Sequence, residues 1–421
     1  MVKVAITTQG CSHNYSDSEH MAGLLKQAGH ELVDEDNAEV VLFNTCTVKT
    51  PTENTFLRTL NQIKKLNKKI VIGGCIPQAE PTRFTNYSLI GTRQLDSVVE
   101  IVEKTAHGER VQLLTRNALP MLSAPKVRRN PLIETIPISI GCLSACSFCK
   151  TKHARGALES YPVDTIVNKV REVTNECVKE IWLTSEDTGC YGFDKGANAA
   201  HLLKEICKIK KYFKIRFGMG NPDHIVQIKE ELIDAYRDEK VYKFLHIPVQ
   251  SGNNGILRQM KRNYTVEQFQ EIVAAFRQAF PRIVIATDVI CGFPGETEEQ
   301  FMDTIQLLEE VKPDVMNISR FWARQGTAAA QMEQLHSGEI KKRSRMLTDV
   351  CERISLEKNK QWIGWKGTVF INEQGKNNTL VGRNFAYKPV VVRGNYKLGE
   401  ALEFEIVDAG EWDLKGVSPR T

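Results

Sequence analysis

Between residues 135 and 320 one pattern recurs six times: a short strand-like run, at 135–141, 180–184, 214–218, 243–249, 282–291 and 314–320, leads each time into a helical stretch. Strands that alternate with helices pair in parallel, because a parallel return needs a crossover long enough to hold a helix. Six such units in roughly 200 residues predict a partial barrel of the (β/α)6 kind, short of the closed eightfold version. Barrels of this type carry their chemistry on the loops that follow the strands.

The flanks read differently. Residues 1–115 predict strands at 2–8, 40–44 and 70–74 with helices at 16–28 and 52–66, a doubly wound parallel sheet. Ser16 and Glu19 suit a capping box and place the first helix start at 16. A basic stretch at 124–130 suits a linker. After Gly364, β-branched runs at 367–372, 380–382, 389–393, 401–407 and 414–417 alternate with Gly, Asn and Asp turns, the pattern of a small all-β barrel. The expected class is α/β with three domains: 1–120 doubly wound, 128–360 partial barrel and 361–421 an OB-like barrel.

A composition of 42% hydrophobic and 25% charged residues excludes a disordered or fibrous chain, and a net charge of +5 permits an anionic partner. No run of 18 apolar residues and no signal-peptide pattern occurs, so a cytoplasmic protein without membrane contact is expected. In that reducing compartment eleven cysteines point to metal ligands, catalysts or core residues before disulfides.

Cys142, Cys146 and Cys149, spaced C-x3-C-x2-C, directly follow the first barrel strand, where three thiolates converge on one centre. A 4Fe-4S cube takes four protein thiolates, so three leave one iron open to a small chelate such as the amino and carboxylate groups of a methionine derivative. With His153 four residues on, the same cysteines alternatively make a closed Cys3His zinc site. Cys11, Cys46 and Cys75 each follow a strand of the amino-terminal sheet, and loops at the carboxyl ends of parallel strands crowd together. These three therefore become neighbours and candidates for a second cluster with an open iron. Cys177, Cys207 and Cys351 are expected as packing residues, while Cys190 and Cys291, near strand ends, have no assigned role.

The C-x3-C-x-aromatic-C loop resembles the signature of radical S-adenosylmethionine (SAM) enzymes. Together with the second cysteine set, the terminal barrel and the segments 182–192, 246–252, 260–264 and 288–297, the whole chain resembles the methylthiotransferase family. Thr184 to Gly189, reading Thr-Ser-Glu-Asp-Thr-Gly, resembles its archaeal and eukaryotic branch, which acts on N6-threonylcarbamoyladenosine. The resemblance implies two 4Fe-4S clusters, one binding SAM and cleaving it to a 5′-deoxyadenosyl radical, the other carrying sulfur. It implies SAM contacts from Arg155, from Glu186 and Asp187, from Gln250 and Ser251, and from Gly292, Gly295 and Glu296 in a cradling motif. It further implies transfer of a methylthio group to C2 of the modified adenosine at tRNA position 37, with an electron donor and a sulfur source as further partners. Methylthiolation of a ribosomal protein or another adenosine derivative, and a non-catalytic zinc-bearing RNA-binding protein, are the alternatives.

The terminal barrel resembles the TRAM domain, an RNA-binding module. On that resemblance Lys366, Arg383, Lys388 and Arg393 are expected to meet phosphates, and Trp365, Phe385 or Tyr387 to pack on bases. Residues 361–421 hold 8 basic and 7 acidic side chains, so only a local face of the barrel is basic. The basic stretches 204–214 and 341–345 would extend that track.

Overall fold

Strand β3 (Val40–Thr45) is buried along its whole length, as a central parallel strand covered on both faces must be. It sits inside a six-stranded parallel sheet ordered β2-β1-β3-β4-β5-β6, with β1 Lys3–Thr8, β2 Glu31–Leu32, β4 Lys69–Gly74, β5 Ser88–Ile90 and β6 Gln112–Leu113. The chain is seen here in a computed structural model, which describes residues 1–48, 50–116 and 119–418. Helices α1 (Ser12–Gln27) and α4 (Val98–Ala106) cover one face, where Met21, Leu25, Ile101 and Val102 meet Val4, Leu42 and Val71. Helix α2 (Thr50–Lys65) covers the other, its Phe56 edge-on to Phe43 at 5.4 Å. Each such ring taken from water stabilises the fold by about 1.5–3 kcal/mol. The short α3 (Cys75–Ala79) follows β4 directly.

The expected capping box at Ser16 is not the helix start. Helix α1 begins four residues earlier with Cys11 at its N-cap, and Ser16 and Ser18 lie buried inside it. Ser16 Oγ donates to the Thr135 carbonyl and Ser18 Oγ accepts from Asn44 Nδ2, so their hydroxyls tie the helix to its surroundings. Strands β2, β5 and β6, too short for a sequence period, add three members to the expected sheet.

Six parallel strands then form the partial barrel: β7 Ile133–Pro137, β10 Glu180–Thr184, β11 Lys214–Phe217, β12 Phe244–His246, β13 Val284–Cys291 and β14 Val315–Arg320. Two three-stranded sheets, β11-β10-β7 and β12-β13-β14, are joined by the bridges Ile215 to Val241 and Met219 to His246. A small hairpin of β8 (Ser139–Ile140) and β9 (Glu159–Ser160) brackets the cysteine loop and α5 (Thr151–Arg155). True capping boxes occur at Thr265 and Thr297, each with Gln at N3, and start the helices Val266–Ala279 and Glu298–Val311.

After the long helix Ser337–Lys360, strands β15 Lys366–Gln374, β16 Leu380–Arg383, β17 Pro389–Val392, β18 Ala401–Ala409 and β19 Leu414–Val417 close a barrel in the order β15-β16-β17-β19-β18. It docks against the amino ends of the partial-barrel strands. Tyr387 packs on Tyr242 and Phe244 with ring centroids 4.9 and 5.2 Å apart, and the Arg216 guanidinium lies over Trp182, Phe244 and Tyr387. Glu180, fully buried, accepts from Asn372 Nδ2 at 2.7 Å across the junction. Among the described residues no helix is long and apolar enough to cross a membrane.

Candidate functional site: two cysteine triads on one cavity

In the amino-terminal sheet a buried amide pair holds the strand-end loops together. Asn14, on the first turn of α1, donates to Asn44 Oδ1 and the Thr45 carbonyl at 3.2 and 3.1 Å, and Asn44 returns a bond to the Asn14 carbonyl at 2.7 Å. This links the loop carrying Cys11 to the loop carrying Cys46. Cys75 is brought in by Gly74, whose φ of 88° suits glycine and where a Cβ would meet Asn44 Oδ1 at 2.4 Å. Cys11 donates to Asn14 Oδ1 at 3.3 Å.

In the partial barrel Gly141, with φ of 80°, turns the chain from β8 into the cysteine loop; a Cβ there would meet the Ala157 carbonyl oxygen at 2.0 Å. Cys149 N donates to the Cys146 carbonyl, and Arg262 Nη1 donates to Cys146 Sγ at 3.1 Å while its Nη2 donates to Asn221 Oδ1 at 2.7 Å. Arg262 falls in the segment 260–264 but had no role from the sequence, since nothing local marks a buried arginine as the neighbour of a cysteine over a hundred residues earlier. Cys190 is likewise brought to Cys142: their sulfurs and an Asp187 oxygen lie within 4.8 Å of one another. The Cys190 hydrogen bond holds the Cys142 thiol below its usual range despite burial.

All six cysteines line one cavity of about 280 Å³, with Asn14, Arg155, Glu186, Asn221, Gln250 and Arg262 among its walls. Burial pushes the Cys11 thiol up to about 11 and raises Cys46, Cys75, Cys146 and Cys149 as well. Apart from Cys142, the free thiols in this pocket are poor thiolates, and a metal centre is what stabilises the charged form. Among the described residues neither triad has all three sulfurs within 4.8 Å of one another. One tetrahedral zinc with bonds of about 2.3 Å would need them closer, whereas a cube spreads its ligands. His153 is exposed on α5 with its ring beside Gly326, and it is not among the described residues lining the cysteine cavity. The spread of the sulfurs does not fit the closed zinc site and leaves each triad open to a larger centre such as an iron–sulfur cluster.

The expected SAM contacts divide. Gln250 lines the cavity with φ of 66°, an uncommon conformation for a residue with a side chain. Arg155 and Glu186 also line it, and they bind the two halves of the molecule together. Arg155 Nη2 pairs with Asp17 of α1 at 2.6 Å and its Nε lies 3.5 Å from Glu186, while Glu186 also meets His13 at 2.9 Å and accepts from Gly141 N at 2.8 Å. Burial opposes the charge on Glu186, but His13 and Arg155 outweigh it and hold the carboxyl below its usual range. Asp187 is instead a strut: its two oxygens take bonds from Gly189 N, Asn221 N, Asn221 Nδ2 and His224 Nδ1. Ser251 is fully buried and its Oγ accepts from Asn253 N. Gly292 makes room for a packed helix: a Cβ there would meet Ile340 Cγ1 at 2.6 Å. Glu296 accepts from Gly292 N and pairs with Arg343 at 2.8 Å, and Gly295, with φ of 76°, turns the chain between them. The cradling motif thus spends its polar groups inside the fold.

In the terminal barrel, too, part of the residue set expected at RNA is engaged within the fold. Lys388 is 3% exposed and donates to Asn359 Oδ1 at 2.7 Å, with Asp314 at 3.5 Å. Arg383 pairs with Glu373 and stacks on Tyr387, itself committed to the docking face; Trp365 and Phe385 pack on Trp362. Lys366 and Arg393 remain on the surface, Lys366 beside Glu405 at 3.1 Å. In the two basic stretches Arg343 is buried and Lys204 pairs with Asp234. Of the cysteines expected in packing, Cys351 is buried and Cys207 half-buried, but Cys177 is exposed and donates to the Pro131 carbonyl.

The model of the Radical SAM superfamily matches residues 136–308, and that of "Uncharacterized protein family UPF0004" matches residues 3–90. A probable threonylcarbamoyladenosine tRNA methylthiotransferase of Pyrococcus horikoshii is 42% identical over 422 residues, covering 99% of both chains. The threonylcarbamoyladenosine tRNA methylthiotransferase of Homo sapiens is 42% identical over 427 residues, covering 98% of this chain and 73% of that one. Among solved structures, the radical SAM methyltransferase TsrM of Kitasatospora setae shares the fold, with a TM-score of 0.56 at 14% identity over 76% of this chain and 73% of its own. The Radical SAM match and 42% identity to these relatives over nearly the whole chain show that it belongs to the threonylcarbamoyladenosine tRNA methylthiotransferase family of radical SAM enzymes.

Proposed function

We propose that the protein transfers a methylthio group to C2 of N6-threonylcarbamoyladenosine at position 37 of tRNA, beside the anticodon, using two 4Fe-4S clusters. The observation that carries this is the single cavity shared by Cys11, Cys46 and Cys75 with Cys142, Cys146 and Cys149. The second triad would hold the SAM-binding cluster and the first the cluster that carries sulfur. Bound there, the pair supplies one-electron cleavage of SAM, hydrogen abstraction from an aromatic carbon, and a sulfur donor within the same enclosure.

The chain's own residues position and shield this chemistry. Arg155, buried between Asp17 and Glu186, fixes the amino-terminal sheet against the barrel loop, so that the two triads keep one separation. Arg262 holds a permanent positive charge at Cys146, favouring the thiolate that a cluster requires. Phe148 and Met219 line the cavity, and in water-poor surroundings the charged groups act more strongly.

The test uses protein purified and reconstituted without oxygen, given SAM, reductant, a sulfur source and threonylcarbamoylated tRNA. Formation of 5′-deoxyadenosine and a methylthio nucleoside is expected; absence of both from fully loaded protein overturns the proposal. Cys146→Ala should abolish SAM cleavage, whereas Cys46→Ala should leave cleavage and stop methylthiolation.

A further inference from the structure

The cysteine cavity opens into a second recess of about 400 Å³, and the two share Val48, Phe148, Cys149, Thr151, Gln250 and Asp288. A volume of that order suits a nucleoside. Its outer wall is the end of β14 and the loop beyond it, Asn317 to Arg324, with Trp322 40% exposed and Val48 54% exposed as its large apolar side chains open to solvent.

Among the described residues three cationic side chains line this recess, and they are not equally committed. Lys150 Nζ is held by the Gln325 carbonyl at 2.6 Å and by Glu80 at 3.3 Å. Arg324 spends Nη1 on Glu53 at 2.6 Å, but its Nε and Nη2 are buried without a hydrogen-bond partner. Arg320, half-buried, has no side-chain hydrogen bond or ion pair among the described residues. Asp288, the acidic group among the described residues of the recess, is engaged by His246 Nε2 at 3.0 Å and Asn317 Nδ2 at 2.8 Å. A half-buried guanidinium and two buried N–H groups of its neighbour have no protein acceptor among the described residues, and an anion entering the recess would meet several open donors. A planar fork suits a carboxylate, which it binds through two parallel bonds.

We propose that Arg320, supported by the unpaired edge of Arg324, forms a carboxylate-binding subsite that takes the threonyl carboxylate of the substrate nucleoside while Trp322 at the rim packs on an unstacked base. This rests on the proposed function, and it assigns the group that distinguishes a threonylcarbamoyl side chain from an apolar one. The same chemistry would bind an RNA phosphate. The carboxylate is the favoured source because the recess is continuous with the cavity at Cys149, so the anion lies at the depth of the reacting base.

The experiment measures binding to reconstituted protein of N6-threonylcarbamoyladenosine and its methyl ester, and of anticodon stem-loops with and without the threonylcarbamoyl group. For the unaltered protein, esterification is expected to weaken binding roughly ten- to a hundredfold, the range for hydrogen bonds to a charged group. Arg320→Gln should lose a similar factor for the acid and little for the ester, so the two changes together are not additive. Arg320→Lys should recover part of the loss. Iron content equal to that of the unaltered protein establishes that each variant is folded. Equal losses for threonylcarbamoylated and plain stem-loops would assign Arg320 to a phosphate and overturn the proposal. So would Arg320→Gln binding both nucleosides as the unaltered protein does. Unaltered protein that forms no methylthio product would refute the function itself, an outcome independent of the Arg320 variants.

Discussion

Gly292 offers a direct contest between a ligand-cradling glycine and a packing glycine. Its φ is 74°, and a Cβ built on it would lie 2.6 Å from Cγ1 and 3.0 Å from Cγ2 of Ile340 on the long helix Ser337–Lys360. Gly292→Ala pays twice. A left-handed backbone costs a residue with a side chain about 1–2 kcal/mol, and forcing a methyl into a filled contact costs about 1–3 kcal/mol, so the sum is roughly 2–5 kcal/mol. Urea unfolding followed by circular dichroism measures it. In an Ile340→Ala background the methyl has room, and Gly292→Ala should then cost only the backbone share of about 1–2 kcal/mol. If the cost is unchanged by Ile340→Ala, the helix contact is not what requires glycine. If Gly292→Ala leaves stability intact and weakens SAM binding, the glycine serves the ligand and the packing account is wrong.

Asp17→Asn removes the buried carboxylate facing Arg155 and should destabilise the protein by about 3–5 kcal/mol, read by urea unfolding; a loss under 1 kcal/mol would refute the strut. Burial, reinforced by Lys214 and countered by Asp238, Cys207 and Glu239, lowers Lys243 from 10.5 to about 8. Its native pKa is depressed, so the destabilising charge is fully present below pH 8 and is relieved as pH rises from about 8 to 10.5. Lys243→Met should therefore gain on the unaltered protein most at pH 7, with the difference shrinking through that window; a constant difference would contradict the burial. Arg393→Gln should weaken tRNA binding and lower the slope of log affinity against log salt by about 1, whereas Lys388→Met should cost stability first. His153→Ala should retain full iron content, and a loss of metal there would revive the Cys3His site.

What was legible in the sequence was local. The cysteines follow strands, and a strand followed by a helix fixes which end of a parallel sheet its loop occupies, so Cys11, Cys46 and Cys75 could be grouped from their places after strands and Cys142, Cys146 and Cys149 from their spacing. What stayed hidden depends on partners far away in the chain. Lys388 reads as a surface base in a β-rich run, and only the docking of the barrel on Asp314 and Asn359 consumes it. Tyr387 and Phe385 look like base-stacking aromatics for the same reason: an aromatic on a small barrel has one letter whether it meets RNA or Phe244. Ser16 carries a good capping signal, yet Asn14 and its amide partner Asn44 pull the helix start back to the cysteine. Arg320 and Arg324 escaped notice because an unpaired arginine is defined by what fails to surround it.

The same docking separates affinity from chemistry. The terminal barrel covers the amino ends of the partial-barrel strands, where Glu180 and Phe244 lie, while the cysteines sit beyond their carboxyl ends. Strand β13 alone, at eight residues, sets the two ends about 25 Å apart. No base stacked on the small barrel can also lie at Cys149. An RNA that touches the small barrel and presents a base to the cavity has to reach past the strands as a folded body, which a stem-loop does and a free nucleoside does not. Contacts on the barrel should then change affinity for the stem-loop alone, and contacts in the recess should change affinity for stem-loop and nucleoside alike.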